Sequence, residues 1–204
     1  MAFFTKIKKE AIVSQTAAKA IETSLVHRGI LVSWLVTFSI HLEKIPGIDR
    51  HVNTQLLYGD IGGTKTVLQL AEIADGGIRE CCTKRYDSTA FATFSDILRD
   101  FLGQATIHPP ATGCFAVAGP IAAQQATLTN LPWHISSADI AHEFSIAEVK
   151  LINDFEAVAL AVENLSSNDL IALQTGQPHA HAMRVVLGAG TGMGVAGSAN
   201  CCAR

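Results

Sequence analysis

The sequence predicts an α/β fold built on a mixed sheet, and three observations carry that expectation. Between residues 56 and 86 the chain reads as three consecutive strands joined by tight turns. Beyond residue 90, helical and strand patterns alternate, the order that lays helices against a partly parallel sheet. The composition supplies a core, since 49% of the 204 residues are hydrophobic and only 16% are charged, against a usual charged share of about 25%. A disordered or low-complexity chain needs the reverse balance.

Taken in order, residues 56–60 form a strand that enters a Gly62-Gly63 turn, and 66–73 form the strand that leaves it. Asp75-Gly76-Gly77 signals a second hairpin, with a third strand over 78–86. Phe91, Phe94, Ile97, Leu98 and Phe101 recur at helical spacing with Gly103 as the stop, and Pro109-Pro110 break the chain beyond it. A buried strand over 114–118 ends in Gly119-Pro120, and a short one comes next at 125–128. Ser136-Ser137-Ala138-Asp139 opens a helix through Phe144; residues 149–153 are a strand and 154–165 a helix. A polar stretch over 166–182 precedes a strand at 184–187, which runs into glycines at 188, 190, 192 and 194. No internal repeat of solenoid length is present.

The first fifty-five residues differ in charge from the rest of the chain. They hold seven Lys/Arg against four Asp/Glu, where residues 56–204 hold eight against fourteen. Residues 6–28 have the spacing of an amphipathic helix ending at Gly29, and 30–42 alternate as a strand. That apolar run is shorter than the roughly 20 residues a membrane helix needs. Its nearest basic cluster, Lys6, Lys8 and Lys9, lies too far upstream for a signal peptide. The organisation expected is an N-terminal extension of separate origin at 1–55, a first lobe at 56–165 and the start of a second at 166–204. Val52 is then an alternative start.

The net charge of −3 gives no overall field for nucleic acid or an anionic membrane. Five cysteines, at 81, 82, 114, 201 and 202, are odd in number and form no CxxC. They indicate neither a disulfide framework nor a zinc site, and suit a reducing, cytoplasmic compartment.

Two glycine-rich turns and one polar pair can carry chemistry. In Asp60-Ile61-Gly62-Gly63-Thr64-Lys65, glycines bring successive backbone N–H groups close to a phosphate and Thr64 adds a hydroxyl. Asp60, at the strand end, can hold Mg²⁺ through water. An ordinary hairpin turn reads equally from this pattern. The second turn, with Thr191 as its donor, fits neither the GxGxxG nor the P-loop template. Asn153-Asp154 stands where a strand gives way to a helix, the edge at which open α/β sheets bind ligands. Asp154 can accept a hydroxyl proton there while Asn153 bonds a neighbouring hydroxyl. Both residue types are also preferred helix caps. His179-Ala180-His181 is an incomplete metal site in a polar loop, and Leu131-Pro132-Trp133 reads as a packing anchor.

Five segments together resemble bacterial glucokinases, of the hexokinase and actin-like ATPase superfamily. They are LLYGDIGGTKT (56–66), FAVAGPI (115–121), LTNLPW (128–133), KLINDFEAVALAV (150–162) and LGAGTGMGVA (187–196). The resemblance implies a ribonuclease H-like small lobe followed by the first hairpin of a truncated second lobe. By that resemblance Asp60, Gly62, Gly63, Thr64 and Lys65 are the first phosphate motif, and Gly188, Gly190, Thr191 and Gly192 the second. Asn153 matches the sugar contact and Asp154 the catalytic base as well as a sugar contact. The implied reaction moves the γ-phosphoryl of ATP, with Mg²⁺, to the 6-hydroxyl of glucose; family members are often homodimers. The family's Glu-Gly-Gly-His segment and adenosine-side turn do not come after residue 197 here. An impaired kinase is therefore expected, with a non-catalytic sugar- or phosphate-binding fragment, a pseudogene product, or a kinase for another hexose as alternatives.

Overall fold

A computed structural model of the chain describes residues 54–74, 77–105, 108–162, 171–174, 177, 182–189 and 193–198. The elements expected over 6–42, the helix tail at 163–165, the His179/His181 pair and Cys201-Cys202 lie outside the described residues.

The chain opens with an antiparallel meander, β1 (Thr54–Ile61), β2 (Lys65–Ala74) and β3 (Gly77–Asp87), closed by a 3-10 turn at Ser88–Ala90. Helix α1 (Phe94–Ala105) leads to β4 (Thr112–Val117), which lies parallel to β1. Three short strands, β5 (Ile121–Ala122), β6 (Gln125–Thr127) and β7 (His134–Ser136), pair as a small antiparallel sheet. Helix α2 (Ser137–Phe144) then precedes β8 (Glu148–Asn153), parallel to β4, and α3 (Asp154–Val162). The last described elements are the strands of a separate antiparallel hairpin, β9 (Arg184–Ala189) and β10 (Met193–Ser198). The main sheet has the order β3-β2-β1-β4-β8, antiparallel on one side of β1 and parallel on the other. This is the mixed α/β sheet that the strand pattern predicts, in a ribonuclease H-like order.

Alternation in β1 divides two faces. Leu57 and Ile61 enter the main core with Leu68, Leu70, Phe115, Val117 and Leu151, while Leu56 and Tyr58 meet Ala71 on the other face. Helix α1 closes the main core because Phe94, Ile97, Leu98 and Phe101 occupy one stripe, all of them buried. Each such side chain contributes about 1.5–3 kcal/mol by leaving water. Phe94 meets Phe115 edge to face at 5.1 Å, and Lys84 and Tyr86 both donate to Asp100, fastening α1 to β3.

Details of several elements differ from the sequence expectation for local reasons. Helix α1 starts at Phe94 instead of residue 91 because Thr93 and Asp96 bond each other's backbone N–H groups, a reciprocal cap. It also runs two residues past Gly103, which faces open space. Strand β7 escapes notice because three residues are too few to show a period. Opposite the Leu70–Ala71 step of β2 the pairing of β3 slips by one residue, so Cys81 is an exposed bulge residue while Cys82 packs against the core.

Candidate functional site

The parallel strands β1, β4 and β8 end together. Ile61 is level with Val117, and Val117 with Asn153, so one row of the sheet runs across all three strand ends. Asp60 stands one residue before that row on β1, and Asp154 comes one residue after it, where β8 gives way to α3. Two strand spacings, about 10 Å in all, separate the two strands. The intervening loop is fixed to both. Ala118 N–H donates to the Ile61 carbonyl at 3.0 Å, and Asn153 Nδ2 donates to the Gly119 carbonyl at 3.0 Å.

The first glycine turn is held from beneath by buried hydroxyls. Gly62 N–H donates to the Lys65 carbonyl at 2.9 Å, which closes the turn. Ser88, fully buried, donates from Oγ to the Gly62 carbonyl at 2.9 Å and lies 2.9 Å from the buried Thr66 Oγ1. Its backbone N–H donates to the Thr64 carbonyl at 3.1 Å. Neither Gly62 nor Gly63 takes a left-handed φ. They supply the lack of a Cβ: one on Gly62 would lie 2.9 Å from the Lys65 carbonyl oxygen, and one on Gly63 would lie 3.1 Å from Asn130 Cβ. Asp60, Thr64 and Lys65 remain exposed along the rim, and Thr64 and Lys65 line a cleft of about 350 Å³ with Arg85, Tyr86 and Asp87.

At the other end of the row, Asn153 does two jobs. Its Oδ1 accepts from the N–H groups of Phe155 at 2.9 Å and Glu156 at 3.3 Å, so it caps α3. The oxygen is committed to the helix, and the amide's donors serve the Gly119 carbonyl and the Asp154 carboxylate. Asp154 is half-buried, and burial pushes its carboxyl above the ordinary aspartate range. Hydrogen bonds from the backbone N–H groups of Phe155 and Asp154 and from the Asn153 side chain oppose that rise without cancelling it. A carboxylate shifted in this direction is a better proton acceptor near neutral pH than an exposed aspartate.

Of the second glycine-rich turn, Gly188 is described, whereas Gly190, Thr191 and Gly192 lie outside the described residues. Gly188 is register partner to Gly194, and both lie against the ring of Phe155 at the start of α3. The hairpin thus meets the same helix end that carries Asp154.

Three supporting residues escape sequence reasoning. Ser88 looks like any serine after a strand. Asn130 sits within the LTNLPW segment, but its contact with Gly63 crosses more than sixty residues of sequence. Gln124, in a left-handed conformation (φ 57°), spans the edge of β8: its Oε1 accepts from Leu151 N–H at 2.8 Å and its Nε2 donates to the Leu151 carbonyl at 3.3 Å. Burial drives the Cys114 thiol well above the usual range and raises that of Cys81, which disfavours the thiolate at these two positions. Among the described residues no group of three or more His, Cys, Asp or Glu side chains is gathered, and no helix is long and apolar enough to cross a membrane.

Comparison with known proteins gives a consistent picture. The glucokinase family model matches residues 57–203. A glucokinase from Nostoc punctiforme is 42% identical over 142 residues, covering 69% of this chain and 42% of that protein. One from Salmonella schwarzengrund is 34% identical over 140 residues, covering 69% and 43%. Among solved structures, a glucokinase from an Antarctic psychrotroph superposes with a TM-score of 0.61 at 34% identity, covering 71% of this chain and 46% of that one. The chain spans less than half the length of these relatives.

Proposed function

The chain belongs to the glucokinase family, and from that premise we propose that it carries the phosphate-gripping and proton-accepting half of a glucose kinase site. The reaction is transfer of the γ-phosphoryl of ATP to the 6-hydroxyl of D-glucose. One observation supports it above the others: the Asp60 turn and the Asn153-Asp154 pair share one end of the parallel strands, tied through Ala118 and Gly119. That spacing between the two strand ends is of the size a phosphoryl group and an acceptor hydroxyl need.

Each residue then has a role. Asp154 accepts the 6-hydroxyl proton as the oxygen attacks phosphorus, and its raised carboxyl suits that task. At Asn153 a neighbouring sugar hydroxyl takes over the N–H that otherwise bonds the Asp154 carboxylate. The backbone of Gly62, Gly63 and Thr64, with the Thr64 hydroxyl and Lys65, faces the phosphates, as Gly188, Gly190, Thr191 and Gly192 do from the second turn. The exposed Asp60 carboxylate is a hard oxygen donor, which fits Mg²⁺ held through water and phosphate oxygens. The ion would neutralise charge on the transferring phosphoryl. Closure of the two lobes over the reactants would keep water from the phosphoryl group. The setting is the cytoplasm, and neither nucleic acid nor membrane is a partner in this reading.

Catalysis by positioning needs both reactants held at once. These residues span less than half of a relative's length, so glucose phosphorylation by the chain alone falls well below the roughly 1–100 per second of ordinary kinases. Glucose-dependent ADP release, run beside calorimetry with glucose, tests the reading. Slow ADP release that requires glucose supports it. Glucose binding with no ADP release makes the chain a sugar-binding fragment, and preference for another hexose reassigns the substrate.

A further inference from the structure

Phe155 joins two parts of the site that are far apart in sequence. It comes directly after Asp154 in the first turn of α3, and its backbone N–H donates to Asn153 Oδ1 and to Asp154 Oδ1, both at 2.9 Å. Its ring lies against the β9–β10 hairpin. Gly188 and Gly194 are directly paired across that hairpin, so they stand on one face at the same level. A Cβ on Gly188 would fall 2.5 Å from Phe155 Cζ, and one on Gly194 would fall closer still to Phe155 Cε2. Real Cβ atoms do not approach ring carbons so closely. The ring therefore rests on bare backbone of both strands at once, and the two glycines are the seat that admits it.

This gives the alternating glycines two separate reasons to exist. Gly188 and Gly194 meet a ring, while Gly190 and Gly192 belong to the connection between the strands. We propose that Phe155 is a positioning residue, its ring in the Gly188–Gly194 seat fixing the β9–β10 hairpin to the helix end that carries Asp154. The proposal rests on the kinase reading for its functional meaning, since that reading gives the connection its phosphate role. The joint itself is a claim about contacts and stands apart from turnover.

Hydrogen exchange by mass spectrometry on the full chain tests the joint without any need for activity. Phe155→Ala is expected to speed amide exchange over 184–198 by at least about tenfold, leaving β1 and β4 unchanged. Gly194→Ala, which fills the seat from the other side, gives the same local pattern if it folds. Phe155→Tyr keeps a flat ring and restores slow exchange. Unchanged exchange over 184–198 in Phe155→Ala overturns the proposal. An equal rise throughout 54–153 also overturns it, by making Phe155 a general core residue. Calorimetry then separates positioning from packing: Phe155→Ala should weaken ADP binding by tenfold or more and glucose binding by less than threefold. Equal weakening of both removes the positioning role. If the unaltered chain binds neither ligand, the kinase reading fails while the exchange result still decides the joint.

Discussion

The two glycine-rich turns look alike in sequence and are held in opposite ways. The first joins β1 and β2 inside a five-stranded sheet, and the buried Ser88 and Thr66 hydroxyls tie it from below. The second belongs to a two-stranded hairpin that leans on α3 through glycines under one aromatic ring. Its outward face keeps Val185, Leu187 and Val195 exposed. A two-stranded hairpin is marginal on its own. Glycine in the first turn makes room for backbone and for Asn130; at 188 and 194 it makes room for a ring. The first turn is thus held by the core of the main sheet, and the second by packing on α3 beside Asp154.

Asp154 is where the two regions meet, and Asp154→Asn gives the largest expected effect. Loss of the proton acceptor should lower glucose-dependent ADP release by about 10²–10⁴-fold. Stability should move the other way. Burial raises this carboxyl in the folded chain, so above the ordinary aspartate value, about 3.9, the native state binds more protons than the unfolded one. Stability then falls as pH rises through the interval between the unfolded and folded values. The asparagine does not titrate, so thermal melts should show Asp154→Asn more stable at pH 7, the gain fading below about pH 4. A variant less stable than the parent at pH 7 would contradict the burial argument.

Next in size is the support of the first turn. Trp133 is fully buried, 6.3 Å from the Phe94 ring, with Nε1 donating to the Phe91 carbonyl. Trp133→Ala should cost about 3–5 kcal/mol in urea unfolding. Asn130, three residues earlier, would lose its footing beneath Gly63 as well. Ser88→Ala is smaller, about 1–3 kcal/mol, because it leaves the buried Thr66 hydroxyl and the Gly62 carbonyl without their partner. If Ser88→Ala proved neutral, the first turn would be no better anchored than the second, and the contrast between them would collapse.

How much of this was legible in the sequence depends on the range of the interaction. Strand alternation in β1 and β2 and the helical stripe of α1 are local patterns, and they predict the mixed sheet. The family resemblance assigns Asp60, Gly62 and Asp154 to one proposed site, and the register of β1, β4 and β8 brings the strand ends that carry them level with one another. What stayed hidden depends on contacts between distant segments. Ser88 with Gly62, Asn130 with Gly63, Gln124 with Leu151 and Phe155 with Gly194 leave no periodic trace. The glycines were legible as glycines, but not which neighbour required each one.

The smallest expected effect isolates the outer face of the hairpin. Leu187 pairs with Val195 across β9 and β10, and both are more than half exposed, at 67% and 59%. Leu57 pairs with Leu70 across β1 and β2, and both are fully buried. The pairs are alike in chemistry and differ only in what covers them. Leu70→Thr removes buried apolar surface and introduces a hydroxyl among carbons, so it should destabilise by more than about 1 kcal/mol. Leu187→Thr with Val195→Thr gives up surface that already faces water and leaves a β-branched residue at both positions. It should change stability by no more than about 0.5 kcal/mol, and it should reduce concentration-dependent light scattering by shrinking an exposed apolar patch. A loss above about 1 kcal/mol in urea unfolding of the double variant would mean that this face is covered in solution. The hairpin would then be anchored on both sides, and Phe155 would no longer be the contact that decides where it sits.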